Sequence, residues 1–321
     1  MEIIDGYLSS SIQRAARLLQ TGGVVAFPTE TVYGLGADGT NPMAVARVFE
    51  LKKRPHFDPL ILHIASRDWV YGFARNVPDE AAALMDRFWP GPLTLILEKR
   101  SVVPDIVTAG LPTVAMRMPL HDVARRLIKE TGRPVAAPSA NPFGYISPTS
   151  ATHVADMLGD EVPLILDGGR CAYGLESTII SFGQNGVRLH RYGAVSIEEL
   201  REVVPHLLEK QHGPHPEAPG ELPYHYAPHT PLVIVDSPEK IEVENSAYLA
   251  FMEPRHSVPS RHLRILSPKG DMREAAANFF SSLIELDKQK VTVIYAECLP
   301  ERGLGRAIME RLRKAERKHR P

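Results

Sequence analysis

The 321-residue chain is short of cysteine and tryptophan, and of any excess of charge of one sign. Its two cysteines, Cys171 and Cys298, are too few for a disulfide framework and fit no zinc-binding spacing, so a reducing cytoplasm is the expected compartment. With 37 Lys+Arg against 38 Asp+Glu the formal net charge is −1, which argues against broad coating of nucleic acid but not against a local basic patch. No apolar run reaches the roughly 18 residues of a membrane span. The opening MEIIDGYLSS lacks the basic-then-apolar order of a signal peptide. No Gly-Lys dipeptide occurs, which excludes a Walker A phosphate loop. What remains is ordinary globular composition, 44% hydrophobic and 23% charged, in a length that suits about two domains. The 28 prolines predict frequent turns.

Short apolar runs alternate with amphipathic ones over residues 1–208, which predicts one α/β domain. Helices are expected over 9–23, capped by Ser10 or Ser11, over 41–54 with Pro42 in the first turn, and over 78–90, 120–132, 150–159 and 196–208. Strands are expected at 24–27, 59–65, 92–99, 113–119, 134–137 and 163–169, with a paired ribbon from 177–182 and 187–193. Residues 209–230 hold five prolines and four histidines and read as a linker or ordered loop. A smaller α/β domain follows over 231–321, with strands at 231–236, 247–252 and 291–297 and helices at 273–288 and 305–318.

Several motifs carry chemistry, each beside a plainer reading. GLGADG, residues 34–39, matches the dinucleotide GxGxxG pattern literally, but no ribose-binding acid follows and a tight turn explains it better. Lys52, Lys53 and Arg54 end a helix, where cations complement the dipole; they also suit a polyphosphate, Lys as a point charge and Arg as a fork. His63 sits in an apolar strand, as a hydrogen-bonded core histidine would. Ser139 and Asn141 enter a loop where their polar groups can bind phosphate or amino-acid atoms, or simply satisfy a turn. Arg117 lies between apolar neighbours and requires an anion, either a structural carboxylate or a substrate's. Arg191 is a phosphate fork or a surface strand residue. HGPHP and HYAPH lack metal-ligand spacing and read as solvated linker, and Phe88 and Trp89 read as core. In the last helix, seven Lys/Arg at 306, 311, 313, 314, 317, 318 and 320 against Glu310 and Glu316 read as a solvated face, or as a weak RNA-facing patch.

The ordered set PTETVYGLGAD, LKKRP, PLILHIA, FWPGPLTLIL, VAMRMP, AAPSAN, ISPT, LDGG and GLESTII, followed by HYAPHTPL and GLGRAIMERL, resembles the threonylcarbamoyl-AMP synthase family in its long two-domain form. That resemblance implies a YrdC-like twisted mixed sheet with helices and an open cavity, plus a smaller Rossmann-like α/β domain. It implies that L-threonine, bicarbonate and ATP become threonylcarbamoyl-AMP and pyrophosphate, and that a partner transferase then modifies tRNA. Carried over by position, Lys52, Arg54, Ser139 and Asn141 are the catalytic set. Asp58, Thr113, Thr149, Arg191 and Tyr226 complete the ATP side, with Asp58 standing where the family often has Asn. Thr31, His63, Arg117 and Ser177, with Ser139, hold threonine, and Arg117 is expected to pair with its carboxylate. Mg²⁺ is expected through ATP phosphates, since no carboxylate cage is visible. The linker around Tyr224 to Tyr226 is expected to fold over the cavity. The competing readings are an RNA-binding module without catalysis and a carbamoyltransferase that forms carbamoyl-AMP.

Overall fold

The computed structural model describes residues 1–209, 218–222, 225–237, 239, 241, 245–254 and 262–319. The apolar runs of the first two thirds become strands β1 (Glu2–Asp5), β2 (Val25–Phe27), β3 (Gly34–Asp38), β4 (Ile61–His63), β5 (Ala74–Arg75), β6 (Leu93–Lys99), β7 (Thr113–Arg117), β8 (Val135–Ala136), β9 (Leu164–Asp167), β10 (Thr178–Gly183) and β11 (Gly186–Arg191). They form one mixed sheet in the order β1-β9-β2-β3-β8-β4-β7-β6-β10-β11, with β5 on the outside of β6. The amphipathic runs become α1 (Ser9–Gln20), α2 (Pro42–Lys52), α3 (Val70–Phe73), α4 (Asp79–Phe88), α5 (Asp105–Thr108), α6 (Asp122–Thr131), α7 (Ala151–Leu158) and α8 (Ile197–Arg201). Ser196 closes a capping box with Glu199 at the start of α8. Trp89 packs in the core and donates its indole N–H to the Leu93 carbonyl, while Phe88 packs against the same cluster.

A second sheet is parallel throughout, in the order β12 (Leu232–Val235), β15 (Val293–Glu297), β13 (Ser246–Ala250), β14 (His262–Ile265). It packs with α9 (Met272–Asp287) and α10 (Gly305–His319). Each sheet has apolar clusters of its own, and one cluster is shared between them. Val32, Ile146 and Leu175 from the large-sheet side and Tyr226 and Ala227 from the linker bury into the cluster that holds Phe279, Phe280 and Leu312. Polar ties reinforce the join. Asp287 accepts hydrogen bonds from the Tyr145 hydroxyl at 2.6 Å and from the His229 and Thr230 amides, and Lys288 pairs with Asp156.

Some expectations change. GLGAD is a strand, β3, not a loop or turn, and it pairs antiparallel with both β2 and β8. Its glycines serve packing: a Cβ at Gly36 would lie 2.7 Å from the Phe27 ring and 2.6 Å from Val135. The first helix is capped at Leu8 with no side-chain bond, because its serines already lie within the first turn and Ser11 is buried. Strands β1, β5 and β14 were not expected; each is four residues or fewer, two lie at sheet edges, and β5 pairs only with β6. Two basic residues of α10, Arg311 and Lys314, are buried rather than solvated, and so are His225 and Tyr226 of the linker. The burying partners are distant in sequence, so a local count of charges does not reveal them. HGPHP, Tyr224 and Arg320 lie outside the described residues.

Candidate active site

The sheet carries its polar residues to one cavity. The loop after β2 supplies Thr29 and Thr31, α2 is followed by Arg54, β4 ends on His63, β7 ends on Arg117, β8 runs into Ser139, and Ser177 and Arg191 flank the β10–β11 ribbon. Pro219, Gly220, His225 and Tyr226 of the linker complete the lining. The free internal volume is about 50 Å³, room for a few waters.

Eight predicted site residues therefore meet in this cavity: Thr31, Arg54, His63, Arg117, Ser139, Ser177, Arg191 and Tyr226. Lys52, Asn141 and Asp58 stand directly behind its wall. The Lys52 ammonium donates to the carbonyls of Ser139, at 2.6 Å, and Asn141. Burial, and then the nearby Arg54 charge, push the Lys52 pKa well below its ordinary value. Arg54 donates to the Asp58 and Pro59 carbonyls and pairs with the Asp58 carboxylate at 2.9 Å. Asp58 thus faces an arginine, which answers the repulsion that a bare carboxylate would offer a phosphate. Burial still raises its pKa, against the pull of Arg54, Arg191 and Lys52.

Arg191 is a buried wall residue and not a surface one. It donates twice to the Ser177 carbonyl, once to the Ser177 hydroxyl at 3.0 Å, and to the Pro219 carbonyl. Ser177 also shares a 2.7 Å hydrogen bond with Thr94. Arg117 has a resident structural carboxylate: it pairs with Glu30 at 2.6 Å while donating to Thr31 Oγ1 at 2.9 Å and to the Gly91 carbonyl. His63 is buried and lines the cavity at the end of β4. Burial, and then Arg117, push its pKa down to about 3, so the imidazole is neutral at physiological pH.

Two predicted residues stand apart from the cavity. Thr149 is buried next to α7, where its amide donates to His153. Thr113 shares a face of β7 with Arg117 by strand alternation but opens on another hollow, of about 600 Å³, with Ser181 and Arg188. Ile61, Ile96, Ala115 and Ile179, covered by Ala218, form an apolar cluster on the sheet face between the two. Glu30 and Glu176 are the site residues that sequence reasoning missed. Glu176 lines the cavity, accepts from Ser147 at 2.6 Å and pairs with Arg311 at 2.9 Å. Both glutamates sit inside motifs already singled out, PTETVYG and GLESTII, but each reads locally as a surface carboxylate.

The arrangement supplies three guanidinium groups, five hydroxyl groups and two neutral imidazoles, those of His63 and His225, around one cavity. Such a set suits binding and positioning of an anion beside an amino acid, with charge neutralisation and no protein nucleophile.

The Sua5/YciO/YrdC family model, described as "Telomere recombination", matches residues 17–193, and the model described as "Threonylcarbamoyl-AMP synthase, C-terminal domain" matches 195–316. A threonylcarbamoyl-AMP synthase of Pyrococcus abyssi is 43% identical over 95% of this chain and 93% of its own length. One of Bacillus subtilis is 41% identical over 95% of this chain and 92% of its own. The crystal structure of P. abyssi Sua5 complexed with L-threonine superposes with a TM-score of 0.92 at 40% identity, covering 98% of both chains.

Proposed function

The chain belongs to the threonylcarbamoyl-AMP synthase family, and from that premise we propose that it forms threonylcarbamoyl-AMP from L-threonine, bicarbonate and ATP, the first step of a tRNA modification. The observation that carries the reading is the single cavity into which Arg54, Arg117 and Arg191 converge with Thr31, His63, Ser139 and Ser177. The threonine complex of the P. abyssi relative supports the amino-acid substrate.

In this reading the threonine amine takes up the bicarbonate carbon with loss of water. The resulting carboxylate oxygen attacks the ATP α-phosphorus, and pyrophosphate leaves. Arg54 and Arg191 neutralise phosphate charge, and Lys52 holds the Ser139–Asn141 loop against the nucleotide. Thr31, Ser177 and the neutral His63 orient threonine, while Arg117, already paired with Glu30, presents its guanidinium to the substrate carboxylate. Mg²⁺ would be carried by ATP and would neutralise phosphate charge, because Glu176, the one carboxylate lining the cavity among the described residues, is taken by Arg311 and Ser147.

The test is pyrophosphate release from ATP and Mg²⁺ with bicarbonate or L-threonine omitted in turn. Release should require both. Release without threonine, or none under any combination from folded protein, overturns the reading.

A further inference from the structure

The tail of the linker is held from behind by one helix of the other sheet. Arg311 of α10 is completely buried and reaches three places. Its guanidinium places Nε and Nη2 each 2.9 Å from the same Glu176 oxygen, in the cavity wall beside Ser177. Its Nη1 donates to the Tyr192 carbonyl, next to Arg191. Its Cζ lies over the Tyr226 ring, 5.1 Å from the ring centre, and Tyr226 lines the cavity. One turn along, Lys314 donates to the Gly220 carbonyl, again at the lining, and pairs with Glu310 at 3.3 Å. Gly220 has φ +84°, and a Cβ there would lie 2.5 Å from the Tyr226 hydroxyl, so only glycine lets the two held points approach this closely. Tyr226 itself has φ +64°, a left-handed conformation that tyrosine adopts only under restraint.

Burial alone would raise the Glu176 carboxyl, but Arg311, then Arg191 and Ser147, outweigh it and hold it below the ordinary range. The pair is ionised and internal, and its two halves come from the loop before β10 and from α10. Gly220 and Tyr226 line the cavity from the linker side, so their placement shapes the space open to substrate. Arg311 and Lys314 are the groups that hold these two points from behind.

We propose that Arg311 is a positioning residue for the reaction, with Lys314 as its second point: α10 seats Tyr226 and Gly220 over the cavity and fixes Glu176 beside Ser177. This rests on the synthase reading of the cavity. It gives the smaller domain a role at the site without any of its residues touching substrate.

The experiment uses the full chain and the variants Arg311→Lys and Lys314→Met. Arg311→Lys keeps the charge toward Glu176 but loses the planar fork and the stacking. Lys314→Met leaves the Arg311 pair intact and serves if the first variant folds poorly. Steady-state pyrophosphate release and hydrogen exchange of the Ala227 amide, which donates to Gly144, are measured together. Loss of one such contact should speed Ala227 exchange and lower kcat about ten-fold, with KM for threonine within about two-fold of the parent. Exchange of β13 and β15 amides should stay unchanged. Parental exchange and kcat in both variants overturn the proposal. So does equal acceleration across β13 and β15, which marks general loosening. If the parent itself releases no pyrophosphate, the synthase reading fails, and Ala227 exchange alone judges the seating by α10.

Discussion

Lys52 gives its ammonium to two backbone carbonyls inside the protein, an arrangement that fixes the Ser139–Asn141 loop before any ligand arrives. Replacing Lys52 by Ala should lower pyrophosphate release at least ten- to a hundred-fold, about 1.5–3 kcal/mol for a charge-assisted contact, with an unchanged far-UV spectrum. Full activity in the folded variant would remove Lys52 from the site. His63 supplies a pH test. Its pKa is about 3 in the folded chain against 6.5 ordinarily, so between those values the unfolded chain binds a proton that the folded chain refuses. Stability contributed by this group therefore falls as pH drops from about 6.5 toward 3, by up to about 1.4 kcal/mol per pH unit. Urea unfolding at pH 7 and pH 5 should show a smaller difference for His63→Gln than for the parent. Most cavity residues were legible because they occur in strand ends and loops with an ordered resemblance to one family. Glu30 and Glu176 were not, since a carboxylate's burial depends on Arg117, 87 residues away, and on Arg311, 135 residues away.

At the scale of elements, α2 shows how a helix aims a site. Asn41 caps it by accepting from the Met43 and Ala44 amides, and Lys53 ends it in a left-handed conformation that turns Arg54 toward Asp58. Asn41→Ala should cost about 1 kcal/mol in denaturant unfolding while leaving KM for ATP near its parental value, because the cap lies at the far end from Lys52. A large change in KM would mean that the helix start moves the site. Long amphipathic helices and apolar strands were readable from period and punctuation, as α6 with Gly132 past its end illustrates. β3 was not, because Gly34 and Gly36 carry the signature of a turn and only pairing on both edges makes them a strand. Likewise the charges of α10 look solvated until Glu176 and Gly220 are brought against them.

For the whole molecule, the shared cluster around Phe280, Leu175 and Tyr226 makes the two sheets a single folding partnership. Calorimetry should give one unfolding transition, shifted upward as a unit by threonine with ATP; at a hundred times Kd the shift corresponds to about 2.7 kcal/mol. Two transitions, of which ligands move only one, would refute the partnership. The narrow cavity has a consequence for anyone seeking an inhibitor. Drug-sized molecules occupy pockets of roughly 300–1,000 Å³, well beyond the free space of about 50 Å³ here. A compound matched to this shape is therefore restricted to a fragment of a few heavy atoms. Anything larger must displace part of the lining, and its apparent Kd is then weakened by the fraction of molecules in which that displacement is already made. Variants that loosen Tyr226 would then be the better bait for screening, even where they are the poorer catalysts.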